Sequence, residues 1–285
     1  AEAVEAAKDA DYVIFVGGLN KSDHQDSEGA DRLQLDLPYH QEDVIRAIAP
    51  VAKNLVVVNI SGSPVSMPWA DVAGAIVQGW YGGTESGNAL ADVLTGKVNP
   101  SGKMPFTVPF KYDDGPIKTV RQYPGIKEEN DEYWQTHYDE GIYVGYRWYE
   151  AKGIPVQWAF GYGLSYTTFE FGQAKAGKAS MTADGEMTVT VDVKNTGDRE
   201  GAEVVQLYVA DPVASIDRPV KELKGFEKVT LKPGETKTVT FTLDADDLSF
   251  YSIEKNGWVA EAGEFQALIG PSSDDIRTTA TFELK

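Results

Sequence analysis

The 285-residue sequence contains no cysteine. Disulfides, thiolate metal sites and cysteine nucleophiles are therefore excluded. Histidine is scarce, with only His24, His40 and His137, which argues against a multi-histidine metal centre. Long apolar runs are missing as well. None approaches the roughly 20 residues that a helix needs to cross a bilayer. No secretory leader is visible at the start. Residues 1–10 instead read as the end of an amphipathic helix, with Ala3, Val4 and Ala7 on one face, so the chain is expected to begin inside a larger protein or after a cleavage. Positive charge is short: 26 Lys and Arg stand against 44 Asp and Glu, giving a net charge of −18 and a pI near 4.5. That balance disfavours nucleic acid and anionic membrane, whose phosphates need a basic patch. It suits a neutral ligand such as a sugar. What remains is a globular composition, 42% apolar and 25% charged, on a chain long enough for two ordinary domains.

The first half alternates strand and helix. Residues 12–16 read as a buried strand ending in Gly17-Gly18. Residues 40–49 read as a helix with Val44, Ile45 and Ile48 on its apolar side. Residues 55–60 form a β-branched strand running into Ser61-Gly62-Ser63-Pro64. A third strand begins at Ala75, and residues 86–94 read as a helix with Gly96 past its end. This order with short connections predicts a mostly parallel sheet sandwiched by helices, an α/β domain assigned to residues 1–165. A short strand is expected at 106–108. Residues 111–165 serve as long loop and connector, polar and irregular up to Tyr138 with an acidic run at 128–132. After Thr167 the texture changes. Met187, Val189, Val191 and Val193 alternate with polar residues, and runs at 204–209, 238–243 and 264–269 are separated by turns such as Lys232-Pro233-Gly234-Glu235. Residues 166–285 are thus expected to be an all-β antiparallel sandwich.

One loop stands out. Asp23, Asp26, Glu28, Asp31 and Arg32 crowd a short stretch after the first strand. Loops beyond the carboxyl ends of strands in α/β sheets are where such folds place chemistry. The plain alternative is a solvated acidic loop. A metal site is a second alternative, since Asp23, Asp26, Glu28 and Asp31 all offer oxygen, but the spacing departs from the Asp-x-Asp-x-Asp-Gly calcium loop. Gly17-Gly18 lacks the G-x-G-x-x-G of dinucleotide sites. Ser61-Gly62-Ser63-Pro64 is not a G-x-S-x-G elbow, and no nearby histidine supports a serine hydrolase.

Ser27-Glu28-Gly29-Ala30-Asp31-Arg32, followed by Leu35-Asp36-Leu37-Pro38, resembles the acid/base loop of family 3 glycoside hydrolases. Three later stretches resemble signatures of the same family, in the family's order: Asn99-Pro100-Ser101-Gly102-Lys103-Met104-Pro105, Glu140-Gly141-Ile142-Tyr143-Val144-Gly145-Tyr146-Arg147-Trp148-Tyr149 and Phe160-Gly161-Tyr162-Gly163-Leu164-Ser165-Tyr166-Thr167. The resemblance covers essentially all of the chain. It implies an immunoglobulin or fibronectin type III-like sandwich for the second domain, and a retaining, exo-acting β-glucosidase as the activity. Glu28 is then the general acid/base, and no cofactor or metal is implied.

Retaining hydrolysis needs a second carboxyl group as nucleophile. In the family this is an aspartate on a (β/α)8 barrel, which needs about 200 residues or more. No stretch here is long and regular enough, so the chain is expected to supply half of an active site and to be inactive alone. The expected partners are a β-linked oligosaccharide or aryl glycoside and a barrel domain, in the same protein or on another chain; a homodimer is left open. Asp31 and Arg32 are read as loop support, pairing with each other or with a neighbour. Trp134 and Tyr138, in the polar loop, are candidates for a substrate rim, whereas Trp69, Trp80, Tyr81, Tyr143, Trp148 and Trp158 are expected in packing. Two other readings stand beside this one: a non-catalytic two-domain binding or assembly module, and a β-xylosidase of the same family.

Overall fold

The computed structural model describes residues 1–129 and 132–285. Two residues of the acidic run, 130 and 131, lie outside that description. The chain divides into two compact units. The first comprises residues 1–98 with 108–114 and 155–157, and the second residues 99–107, 115–154 and 158–285.

The first unit contains α1 (Glu2–Lys8), β1 (Val13–Gly18), α2 (Gln41–Ile48), β2 (Leu55–Ile60), β3 (Ala75–Gln78) and α3 (Ser86–Leu94). The strands form a parallel sheet in the order β1-β2-β3. Central β2 carries the β-branched run, and Leu55, Val57 and Val58 are buried there, as expected for a strand paired on both edges. Ile45 and Ile48 form the buried stripe of α2. Val44, read as part of that stripe, is 38% exposed. The reading of β1 as a buried strand also needs correction. It is an edge strand, and Ile14 and Val16 are 49% and 62% exposed while their neighbours are partly covered. An alternating pattern on an apolar sequence reflects one covered face, which an unbroken apolar run cannot reveal. β4 (Val108–Pro109) is the expected short strand, displaced slightly along the chain.

The second unit includes α4 (Tyr146–Lys152), which the sequence reading did not assign. The strand β5 (Val156–Trp158), which pairs with β4, spans the division between the units. In the first unit the Gln157 amide clamps Met67 in both directions: Oε1 accepts from the Met67 N–H at 2.8 Å and Nε2 donates to its carbonyl at 2.5 Å.

The rest of the second unit is β6 (Phe169–Phe171), β7 (Lys175–Ala176), β8 (Ser180–Met181), β9 (Met187–Asn195), β10 (Gly201–Ala210), β11 (Glu222–Leu231), β12 (Thr236–Leu243), the single turn α5 (Ala245–Leu248), β13 (Phe250–Ser252), β14 (Gly257–Val259), β15 (Gly263–Gly270) and β16 (Thr278–Leu284). Two sheets, ordered β11-β10-β15-β16-β8 and β12-β9-β6, share one core. Met187, Val189, Val191 and Val193 point inward from β9 and meet Leu207, Phe265, Ile269 and Phe282 of the other sheet. Burying each such aliphatic side chain stabilises the fold by about 1.5–3 kcal/mol.

Two of the sequence signatures meet in this unit. Asn99 Oδ1 accepts from Ser165 Oγ at 3.0 Å and from the Tyr166 N–H at 2.7 Å. The Met104 N–H donates to the Tyr162 carbonyl, and the Gly161 N–H to the Met104 carbonyl, both at 2.8 Å. These motif residues therefore serve to hold one backbone segment against the other.

Candidate functional site

The acidic loop leaves β1 through Gly18, whose φ of +140° and whose approach to Ile60 leave no room for a side chain: a Cβ would fall 1.9 Å from the Ile60 carbonyl oxygen. The Leu19 N–H donates to that same oxygen at 2.8 Å. Gln41, first residue of α2, closes the loop's base. It accepts from the Gly18 N–H at 2.7 Å and donates to the Gly18 carbonyl at 2.8 Å. Inside the loop the buried Gln25 accepts from the Asn20 N–H at 3.0 Å and donates to the Tyr39 hydroxyl at 2.6 Å.

Asp26 is the junction of the site. Its carboxylate accepts hydrogen bonds from the Gly62 N–H at 2.7 Å, from Ser63 Oγ and from the Tyr81 hydroxyl at 2.7 Å. Asp26 follows β1, Gly62 and Ser63 follow β2, and Tyr81 follows β3. One side chain thus joins the loops at the carboxyl ends of three adjacent parallel strands, the edge of such sheets where ligands are taken. Burial alone would raise the Asp26 pKa; the hydrogen bonds from Ser63, Gly62 and Tyr81 and the nearby Arg32 charge outweigh it and hold the carboxyl below its ordinary value. Burial and the Asp26 carboxylate push the Tyr81 hydroxyl up to about 12, so Tyr81 remains a donor across the physiological range.

Arg32 donates to Ser63 Oγ at 3.0 Å and to the Pro64 carbonyl, so its partners lie in the loop after β2. Asp31 is exposed, and its backbone carbonyl accepts from His24 Nδ1 at 2.9 Å. Asp36 accepts from Ser66 Oγ at 2.6 Å, and the Ser66 N–H donates to the Leu35 carbonyl at 3.0 Å, which fastens the far end of the loop. Between these anchors, Ser27 Oγ donates to the Ala30 carbonyl at 3.3 Å, and Glu28 is exposed to solvent. The loop is thus fastened on both sides of Glu28.

The four carboxylates considered as metal ligands do not gather. Among the described residues no group of three or more His, Asp or Glu is placed to hold an ion. Trp134 and Tyr138 belong to the second unit and are 60% and 78% exposed. Of the aromatics expected in packing, Trp69 is fully buried, but Tyr81 is 51% exposed. Asp26, Ser63 and Tyr81 were not singled out as partners by sequence reasoning. The available signal was positional: small or aromatic residues directly after the carboxyl ends of β2 and β3.

An α/β unit with a doubly anchored acidic loop at the carboxyl edge of its parallel sheet, followed along the chain by a β-sandwich, defines the class of protein. Residues 1–146 match the Glycosyl hydrolase family 3 C-terminal domain and residues 203–273 the Fibronectin type III-like domain, and the chain belongs to glycosyl hydrolase family 3. It is 49% identical to Beta-glucosidase BoGH3A of Bacteroides ovatus over 99% of this chain and 37% of that protein. It is 46% identical to Thermostable beta-glucosidase B of Acetivibrio thermocellus over 96% of this chain and 35% of that protein. The crystal structure of a beta-glucosidase from Kluyveromyces marxianus in complex with glucose superimposes with a TM-score of 0.89 at 43% identity, covering all of this chain and 33% of that one. The chain thus spans about a third of the length of the relatives it matches.

Proposed function

We propose that this chain is part of a retaining, exo-acting β-glucosidase that releases terminal β-D-glucosyl residues, and that Glu28 is its general acid/base. The observation that carries the reading is the 49% identity to a β-glucosidase along 99% of the chain. In this reading Glu28 protonates the departing glycosidic oxygen in the first step. In the second it takes a proton from the water that releases the sugar. The nucleophile is an aspartate on a barrel domain outside this sequence. Asp31 and Arg32 support the loop, and Trp134 and Tyr138 contribute to a substrate rim.

The test uses the full-length protein that carries this chain, with Glu28→Ala. Dinitrophenolate leaves without a proton, so kcat/KM for dinitrophenyl β-glucoside should stay within about tenfold of the parent, while cellobiose falls by about 10²–10⁴-fold. Azide needs no general base, so it should restore turnover of the dinitrophenyl substrate and yield a β-glycosyl azide. Equal losses on both substrates without an azide effect would remove Glu28 from this role. A parent enzyme that prefers the corresponding β-xyloside would instead assign it as a β-xylosidase.

A further inference from the structure

We infer that Asp26 is a positioning residue for Glu28: it fixes the backbone from which the acid/base projects by tying it to the ends of β2 and β3. The inference rests on the acid/base reading of Glu28 and goes beyond it.

Three observations carry it. The Asp26 carboxylate accepts three hydrogen bonds, from the Gly62 N–H, the Ser63 hydroxyl and the Tyr81 hydroxyl. These donors come from two different loops, 36 to 55 residues away in sequence, so the side chain closes long-range links that the loop cannot supply locally. Second, Ser63 is shared. Its hydroxyl also receives a hydrogen bond from Arg32 Nη1 at 3.0 Å. Asp26 and Arg32 therefore grip the same residue from opposite sides of Glu28, with Ser27-Glu28-Gly29-Ala30-Asp31 suspended between them. Third, Gly62 is closely approached: a Cβ there would lie 3.0 Å from the Tyr81 ring, a tight contact, and 3.5 Å from Asp26 Oδ2. The Gly62 amide and Tyr81 are packed against the carboxylate they bind.

Each bond to Asp26 is charge-assisted, and such bonds are short and directional. Its place two residues before Glu28 makes any release of Asp26 a displacement of the acid. Proton transfer to a leaving oxygen is steeply sensitive to such a shift, whereas substrate binding is less so. Asp26→Asn keeps the size but removes the charge and replaces one accepting oxygen with a donor, which either opposes the Gly62 N–H or, turned the other way, reverses the bond with the Ser63 hydroxyl.

The experiment compares Asp26→Asn, Tyr81→Phe, Asp31→Ala and Glu28→Ala in the full-length protein, on cellobiose and on dinitrophenyl β-glucoside. For Asp26→Asn, kcat/KM on cellobiose should fall roughly 10–100-fold, and on the dinitrophenyl substrate by no more than about threefold, the signature of a misplaced proton donor. KM should stay within about twofold of the parent. Tyr81→Phe, which removes one of the three bonds, should show the same split with a smaller amplitude. Asp31→Ala, lacking this role, should lose activity evenly. If Glu28→Ala shows the leaving-group split but Asp26→Asn and Tyr81→Phe lose both substrates equally, the positioning role is overturned and the acid/base role of Glu28 stands. If Glu28→Ala itself shows no split, the acid/base reading falls and the inference with it.

Discussion

Lys103 and Glu203 form an ion pair of 2.6 Å with only 12% and 10% of their side chains exposed. Lys103 comes from Asn99-Pro100-Ser101-Gly102-Lys103-Met104-Pro105 and Glu203 from β10, and Lys103 also donates to the Gly163 carbonyl at 2.8 Å. A buried pair of this kind gains little over apolar packing, yet losing one member strands the other charge in a low-dielectric site. Lys103→Ala should therefore destabilise the second unit by about 3–5 kcal/mol. The double variant Lys103→Met with Glu203→Leu should recover most of that loss. Urea unfolding of the parent, Lys103→Ala, the single variants Lys103→Met and Glu203→Leu, and the double variant checks this. Additive losses would mean that the pair is not coupled.

Sequence patterning revealed the sandwich strands with alternating inward residues, because period-two burial leaves a direct trace: β9 buries Met187, Val189, Val191 and Val193 and exposes the residues between. The parallel sheet was legible for a different reason, through the β-branched run of central β2. α4 escaped notice. Its Tyr-Arg-Trp-Tyr core carries no helical period, and the helix is instead bounded by Gly145 and Gly153, both with φ near +60°. The short hairpin of β13 and β14 was missed because each strand has only three residues. At the site, Glu28 could be named from its motif. The partnership of Asp26 with Gly62, Ser63 and Tyr81 could not, since it exists only after three strands align in the order β1-β2-β3.

Asp26 also makes the loop sensitive to acid. Its folded-state pKa lies below the ordinary value of 3.8. The stabilisation it contributes is accordingly complete above that value and is lost as pH falls through the lower, folded-state value. The difference in stability between the parent and Asp26→Asn should be largest near neutral pH and should shrink below about pH 4. Thermal unfolding of both proteins from pH 3 to 7 measures it. A gap that stays constant over this range would show that the carboxylate charge has no part in holding the loop.

The final prediction concerns the 285-residue chain by itself. Retaining hydrolysis requires two carboxyl groups about 5–5.5 Å apart, one acting as acid/base and the other attacking the anomeric carbon. Glu28 is exposed on its loop. Its acidic neighbour Asp26 is committed to Gly62, Ser63 and Tyr81, and a carboxylate held by three donors and kept at low pKa is a weakened nucleophile. A water-accessible Glu28 also lacks the closed pocket that would exclude water from a bound sugar. The purified chain should therefore fold, show the cooperative unfolding of its β-sandwich, and leave 4-nitrophenyl β-glucoside intact over many hours. Turnover that disappears in Glu28→Gln would overturn this and place a nucleophile within these residues.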